Sequence, residues 1–441
     1  MHAYFSQPPM ASTDTVSFNP EWVAALFSGD AQIWLGFSGG VDSHVLLHAL
    51  VSVLNVEQKA KLTAIHIHHG LSENADRWQQ HCQSVCQQLG VKFVSRQVCL
   101  ASQASLEDAA RKARYQVFEE VLSQDDVLLM AHHGGDQAET VLFRLLRGTG
   151  GKGLSGIPAI RALGKGALLR PMLTMSKSSI NAYAKHHGLC WVEDESNQDE
   201  RFTRNFIRHR IVPTLEVRFP KMEQNIASAA QRIATDYAML AEFAQVQLKD
   251  WCNLSGGLIL RHLEALPEDK QRFWLRSFLQ GKSISLSYAQ LENVLSMVFG
   301  EEHKQPEFCF PTGRIMRHQG VLYVLPVEQP AELGELHSGV PLRRAFDQVL
   351  VLGEGRFCLG ERPQGAVLLL ANGHRRKIKK WFNDLKIPSW WRDHLPYLYL
   401  EGELIAIGSL WRHPSYLDIT FEWQLNDLLP FPVEQALLER G

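Results

Sequence analysis

The 441-residue chain is 45% apolar and 21% charged, with a formal net charge of −2. That profile belongs to an ordinary globular protein and excludes disordered, collagenous and disulfide-stapled classes. No apolar run reaches membrane-spanning length, and residues 1–20 lack a basic segment leading into an apolar one, so neither an anchor nor a secretory signal is expected.

Seven cysteines without a C-x-x-C pair point to a reducing, cytoplasmic compartment and away from a zinc ribbon. With so little net charge, any nucleic-acid binding has to come from local basic patches. The length predicts about three domains, divided here as 1–215, 216–330 and 331–441.

From residue 30 to about 215, short apolar runs alternate with amphipathic stretches. Strands are expected at Ile33–Phe37, Leu62–Ile67, Phe93–Arg96, Val127–Ala131 and Ala167–Arg170, with helices near 43–54, 74–89, 105–124, 136–147 and 176–188. The alternation predicts an α/β fold, a parallel doubly wound sheet with helices on both faces. Ligands of such sheets bind beyond the carboxyl ends of the strands.

The first strand runs into Ser38-Gly39-Gly40-Val41-Asp42-Ser43 and then into a helix. Glycines let a backbone approach a ligand closely, serines add hydroxyls, and a helix start offers free N–H groups to phosphate. A Walker lysine is missing. Asp42 lies in the turn instead, and an acid beside phosphates implies a bridging Mg²⁺ held by Asp42.

His66, His68, His69, His132 and His133 follow two later strands, where they fit phosphate contact or loop packing better than a zinc site. His66 and His132 are assigned to the nucleotide. Arg111 and Arg114 share a helix face and could clamp a phosphate or base, while Cys82 and Cys86 read as core.

Asp136 and Glu139, three residues apart at a helix start, can cap that helix or hold a substrate ammonium and take its proton. The five glycines from 148 to 156 predict a mobile loop at the active site. Arg201, Arg204, Asn205 and Arg208 lie in a stretch of arginines interleaved with aromatics, a candidate RNA strip.

Beyond residue 216 the pattern turns helical to about 300, then strand-like over 307–326, with a Pro/Glu-rich linker at 326–332. The final hundred residues read as a small α+β unit: strands near 347–370, a basic helix at 374–386 and strands at 397–411. Within that helix Arg375, Arg376, Lys377, Lys379 and Lys380 are candidate contacts to an RNA backbone.

The loop Ser38–Ser43 resembles the pyrophosphate loop of the ATP pyrophosphatases. Taken with His66-Ile-His-His-Gly-Leu71, Ala131-His-His-Gly-Gly-Asp-Gln-Ala-Glu-Thr140, Arg147–Gly150, Asp194-Glu-Ser-Asn197 and Arg204–Arg208, the chain resembles the tRNA(Ile)-lysidine synthases over nearly its full length. The resemblance implies ATP and Mg²⁺ as cofactors, and free lysine and the CAU-anticodon tRNA(Ile) as substrates.

In that chemistry cytidine 34 is adenylated, lysine displaces AMP to give lysidine, and the tRNA then reads AUA. The resemblance also implies that Asp136 and Glu139 hold and deprotonate the lysine amine and that Arg111 and Arg114 serve the cytidine and phosphates. Gly135 departs from the family, which usually has an acid there. Its presence implies either a weaker metal site or a glycine helix cap. A tRNA thiolase, an amidotransferase-type ligase and a non-catalytic tRNA-binding protein are the rival readings. The first lacks its paired cysteines and the second its amine-delivering domain.

Overall fold

A computed structural model of the chain describes residues 9–10, 15–68, 70, 74–98, 106–193, 195–253, 256–300, 307–326, 332–344 and 347–425. His69, Asp194 and most of the expected linker (327–331) lie outside the described residues. Contacts divide the chain into two compact units, Met1–Met239 and Leu240–Gly441.

The first unit is built on a six-stranded sheet: β1 Ile33–Gly36, β2 Leu62–His68, β3 Lys92–Gln97, β4 Val127–Leu129, β5 Ile160–Leu163 and β6 Gly166–Leu169. Its order is β3-β2-β1-β4-β6-β5, and every pairing is parallel except the edge hairpin β5/β6. Ile33, Leu35, Leu62, Ala64, Leu128 and Leu129 are fully buried. A strand covered on both faces needs such unbroken apolar runs.

The helices are α1 Pro20–Leu26, α2 Val41–Val51, α3 Val56–Ala60, α4 Ala75–Leu89, α5 Leu106–Val121, α6 Gly134–Leu146, α7 Gly151–Leu154 and α8 Lys177–His186. After these come α9 Thr203–Phe206, a π-helical turn Ile207–Ile211, α10 Val212–Arg218 and the 30-residue α11 Met222–Trp251. The chain moves outward from β1 through β2 to β3, then returns to β4 on the other side of β1. That reversal places a crevice at the carboxyl ends of β1 and β4, where such sheets take ligands.

The five expected strands are all present; the edge strand β5 is the addition. Of Ile160-Arg-Ala-Leu163 only Leu163 is fully buried, and Arg161 and Ala162 are exposed, because an edge strand buries only part of itself.

In the second unit, helices Glu268–Gly281 and Tyr288–Val298 pack with the four-stranded sheet that includes Gly313–His318 and Val321–Pro326. A second core gathers Trp381, Phe382, Trp390, Trp391, Tyr397 and Trp423. One expectation there is corrected. Arg375–Lys377 is not helical but a strand paired with Val367–Leu369, and the helix spans only Ile378–Asp384. Ile378, Trp381 and Phe382 are its buried face, so apolar spacing and not the charge run sets where the helix begins.

Candidate active site

The turn after β1 has the conformation its glycines predict. Gly39 has φ +86°, and a Cβ there would come within 2.9 Å of both Cys82 Sγ and Val192 Cγ2. Ser43 Oγ donates to the Gly40 carbonyl at 3.0 Å and lies 3.1 Å from Ser38 Oγ. Gly40 is the N-cap of α2 and makes no side-chain capping bond. The first amides, from Val41 to Ser43, therefore face outward with the positive end of the helix dipole.

Helix α6 opens on the rim next to it. His133 is the N-cap: its Nδ1 accepts the Gly135 N–H at 3.0 Å, while its own N–H donates to Asp136 Oδ2 at 3.0 Å. Gly135 is thus not the cap but the second helical residue, buried beneath the His133 ring. A Cβ on it would lie 2.8 Å from His133 Cε1 and 2.8 Å from Glu223 Oε1. Asp136 both caps and lines the crevice.

From here a row of acidic and basic side chains, with the His133 ring among them, crosses the rim. Lys177 Nζ donates to Asp42 Oδ1 at 2.5 Å. His133 Nε2 lies 3.7 Å from Asp42 Oδ1 and 3.6 Å from Asp136 Oδ2. Arg208 reaches Asp136 Oδ1 at 3.7 Å and grips Glu139 at two points, 2.6 and 2.8 Å. Burial acts to raise the Asp136 pKa, but His133, His132 and the His133 amide together hold it below the usual carboxylate range.

Two cavities meet at this row. The larger, about 720 Å³, has Ser38, Asp42, His66 and Asp136 on its polar side and Ile65, Phe118 and Met130 on its apolar side. The smaller, about 290 Å³, is walled by Arg111, Arg114, Arg144, Arg161, Arg170 and Arg204. Arg114, His132 and Asp136 line both. Six guanidiniums against two carboxylates make the smaller cavity an anion site, and its planar donors suit phosphate oxygens.

The two histidines assigned to the nucleotide are neutral and of opposite polarity. His66 donates its Nδ1–H to the Phe37 carbonyl at 2.9 Å, and burial lowers its pKa. His132 accepts the Arg170 Nε–H on Nδ1 at 3.2 Å, which puts its proton on Nε2. Burial, opposed by Asp136 and aided by Arg170, Arg114 and Arg111, lowers its pKa to about 3.

The stretch expected to be mobile is tied to α6 and contains the one-turn helix α7. Gln137 pairs both amide atoms with the backbone of Ile157, and Arg144 donates to the carbonyls of Gly153 and Gly156.

Among the candidate RNA residues, Arg204 and Arg208 are four apart on one face that meets α6; Arg204 donates to Thr140 Oγ1 at 3.3 Å. Asn205 is buried and donates to the Asp199 carbonyl, and Arg201 is exposed and paired with Asp199. In the second unit Arg375, Lys377, Lys379 and Lys380 are exposed, and Arg376 is paired with Asp384.

Sequence reasoning passed over Lys177, Arg144, Arg161, Arg170 and Glu223, and named His133 only as a phosphate contact or loop-packing residue. Arg170 carried a usable signal, a charge at the carboxyl end of an expected strand. Lys177 and Glu223 open helices and look like ordinary solvated charges until the fold brings them to the rim.

Among the described residues no group of three or more His, Cys, Asp or Glu side chains could cage a metal. Asp42 and Asp136, which line one cavity, are a donor set of the kind Mg²⁺ uses, since it keeps waters and takes one or two carboxylates plus phosphate oxygens. The residues present fit Mg²⁺ in that sense.

Residues 15–215 match the PP-loop domain model, 258–323 the TilS substrate binding domain and 358–420 the TilS substrate C-terminal domain. The chain is 36% identical over 400 residues to a tRNA(Ile)-lysidine synthase of Pseudomonas fluorescens (strain Pf0-1), covering 86% of this chain and 90% of the relative. It is 37% identical to the proteins of that name from Pseudomonas aeruginosa, over 85% of this chain and 89% of the relative, and from Coxiella burnetii, over 88% and 92%.

Proposed function

The chain belongs to the tRNA(Ile)-lysidine synthase family, and from that premise we propose how its site carries out the reaction. It is a ligase with an ATP-binding PP-loop domain that forms lysidine on tRNA(Ile). What carries the reading of residues, metal and order of steps is the meeting of the two cavities at Arg114, His132 and Asp136.

ATP lies in the larger cavity, its base against the apolar wall and its phosphates on Ser38–Ser43 and the start of α2. Asp42, aided by Asp136, would hold Mg²⁺, which supplies charge neutralisation to the triphosphate when bound. Cytidine 34 of the CAU anticodon and its neighbouring phosphates enter the arginine-walled cavity. The junction then sets O2 of the base against the α phosphate.

O2 attacks phosphorus, the bond to the bridging oxygen breaks, and pyrophosphate leaves with the electron pair. His132 Nε2–H and Arg114 donate to the phosphoryl oxygens as charge gathers there. Free lysine follows. Its amine attacks C2, the C2–O2 bond breaks and AMP departs, leaving lysidine. Asp136 takes the amine proton, and Glu139 joins in holding the ammonium once Arg208 turns to an RNA phosphate. The surrounding guanidiniums lower the amine pKa, which eases that proton transfer.

The domain division 1–215, 216–330 and 331–441 assigns chemistry to the first part and tRNA binding to the others, with Arg375–Lys380 as a backbone contact in the last. Arg201 and Asn205 would support the RNA side of the strip. A cytoplasmic setting follows from the substrate. No helix among the described residues is long and apolar enough to cross a membrane. Burial pushes the thiols of Cys82 and Cys86 up to about 12, so neither is poised for thiolation chemistry. Incubation with labelled lysine, ATP and tRNA(Ile) is the test. Label should enter tRNA(Ile) and not tRNA(Met); its absence from RNA would reject the reading.

A further inference from the structure

Lys177 is the first residue of α8, and it aims its ammonium at the acid of the nucleotide loop. Nζ lies 2.5 Å from Asp42 Oδ1, which is also 3.7 Å from His133 Nε2. Its backbone N–H donates to Glu223 Oε2 at 3.4 Å, which ties the base of the side chain to α11. The side chains of Lys177 and Asp42 are 36% and 32% exposed; Asp42 is part of the wall of the larger cavity, and Lys177 is its ion-pair partner there.

A carboxylate that already holds an ammonium at this distance has satisfied its charge. An incoming divalent cation repels that ammonium, and the two do not share one short-range carboxylate oxygen. The triphosphate arriving with the metal brings new anionic oxygens to the same wall. A lysine is suited to change partners there. Its charge is compact, and its four-carbon stem lets the charge move while the backbone stays fixed.

We propose that Lys177 is a catalytic residue that exchanges partners, neutralising Asp42 in the resting site and passing to a phosphate oxygen of ATP when Mg²⁺ takes Asp42. The inference rests on the reading of Ser38–Ser43 as the ATP site. As the bond between the α phosphorus and the bridging oxygen breaks, the electron pair goes to pyrophosphate. The Lys177 ammonium offsets that charge without giving up a proton. The pair with Asp42 also keeps two acids of the row, Asp42 and Asp136, from facing each other uncompensated before substrate arrives.

The test separates binding from chemistry. ATP binding to the full chain is titrated against Mg²⁺ without tRNA, by protection from thermal unfolding, and the rate of tRNA adenylation is measured separately. Lys177→Met and Lys177→Gln remove the competitor for Asp42. The Mg²⁺ concentration for half-maximal ATP binding should therefore fall several-fold, while adenylation slows about 100-fold or more. Lys177→Arg should keep the wild-type Mg²⁺ midpoint and recover part of the rate. An unchanged midpoint in both neutral variants would overturn the exchange, and an unchanged adenylation rate would overturn the catalytic role. Failure of the unaltered protein to bind ATP at all would instead overturn the reading of the site.

Discussion

Arg208 grips Glu139 through two parallel hydrogen bonds, Nε to Oε1 at 2.6 Å and NH2 to Oε2 at 2.8 Å. The pair joins the π-helical turn to α6, and Glu139 is only 9% exposed. Removing the arginine would leave a nearly buried carboxylate without its main partner, at a cost of about 2–3 kcal/mol. Arg208→Ala and Glu139→Ala should each lower stability to urea. The double variant should lose clearly less than the sum, because the second change removes the orphaned partner. Strict additivity would mean that the pair has no energetic weight.

His132 makes the stability of this unit sensitive to acid. Its pKa falls from 6.5 to about 3 on folding, so between those values the unfolded chain binds a proton that the folded chain does not. Stability therefore declines as pH drops below about 6.5. Burial lowers the His44, His48 and His66 pKa values as well, and they act with the same sign. His132→Gln should shrink the difference in urea midpoint between pH 7 and pH 5. An unchanged difference would show that His132 titrates alike in both states.

Gly135 leaves room for the Glu223 carboxylate and the His133 ring. A side chain at 135 meets the Glu223 carboxylate and the His133 ring at 2.8 Å, and burial already pushes the Glu223 pKa up. Gly135→Asp would add a second carboxylate beside the first and should destabilise by about 1–3 kcal/mol. Combining it with Glu223→Ala should restore much of the stability in a thermal melt. If Gly135→Asp alone is neutral and lowers the Mg²⁺ needed for activity, the missing acid matters to the metal and not to packing.

The exposed basic run in the second unit is expected to act on affinity. Neutralising Lys377, Lys379 and Lys380 together should reduce the slope of log tRNA affinity against log salt, by about 0.7–0.9 for each phosphate that a lysine no longer neutralises. The tRNA KM should rise with kcat little changed. A fall in kcat alone would place these lysines in the chemistry instead.

The order of these elements along the chain was largely readable. Unbroken apolar runs such as Val127–Leu129 identify buried parallel strands, and the Ser38–Ser43 turn announces its ligand because glycine and hydroxyl spacing is local information. Partnerships across the fold were not readable. Nothing near Glu139 in sequence says that Arg208, 69 residues later, will neutralise it. Lys177 and Asp42 are 135 residues apart; the turn marks Asp42 as a metal or phosphate-site acid, but Lys177 alone looks like a solvated charge. The basic run misled for a related reason. Charge carries no period, so the strand–helix break at Lys377/Ile378 showed only in the apolar residues that follow.

Adenylation of the tRNA before lysine enters is the step on which everything else depends, and it can be isolated. The protein is incubated with ATP labelled at the α phosphate, Mg²⁺ and tRNA(Ile) in the absence of lysine, and the RNA is then separated. Label should be found on the tRNA and should leave as AMP when lysine is added, with Asp42→Ala abolishing the first event. An RNA without label, with AMP appearing only when lysine is present from the start, would contradict the two-step reaction at the junction of the two cavities.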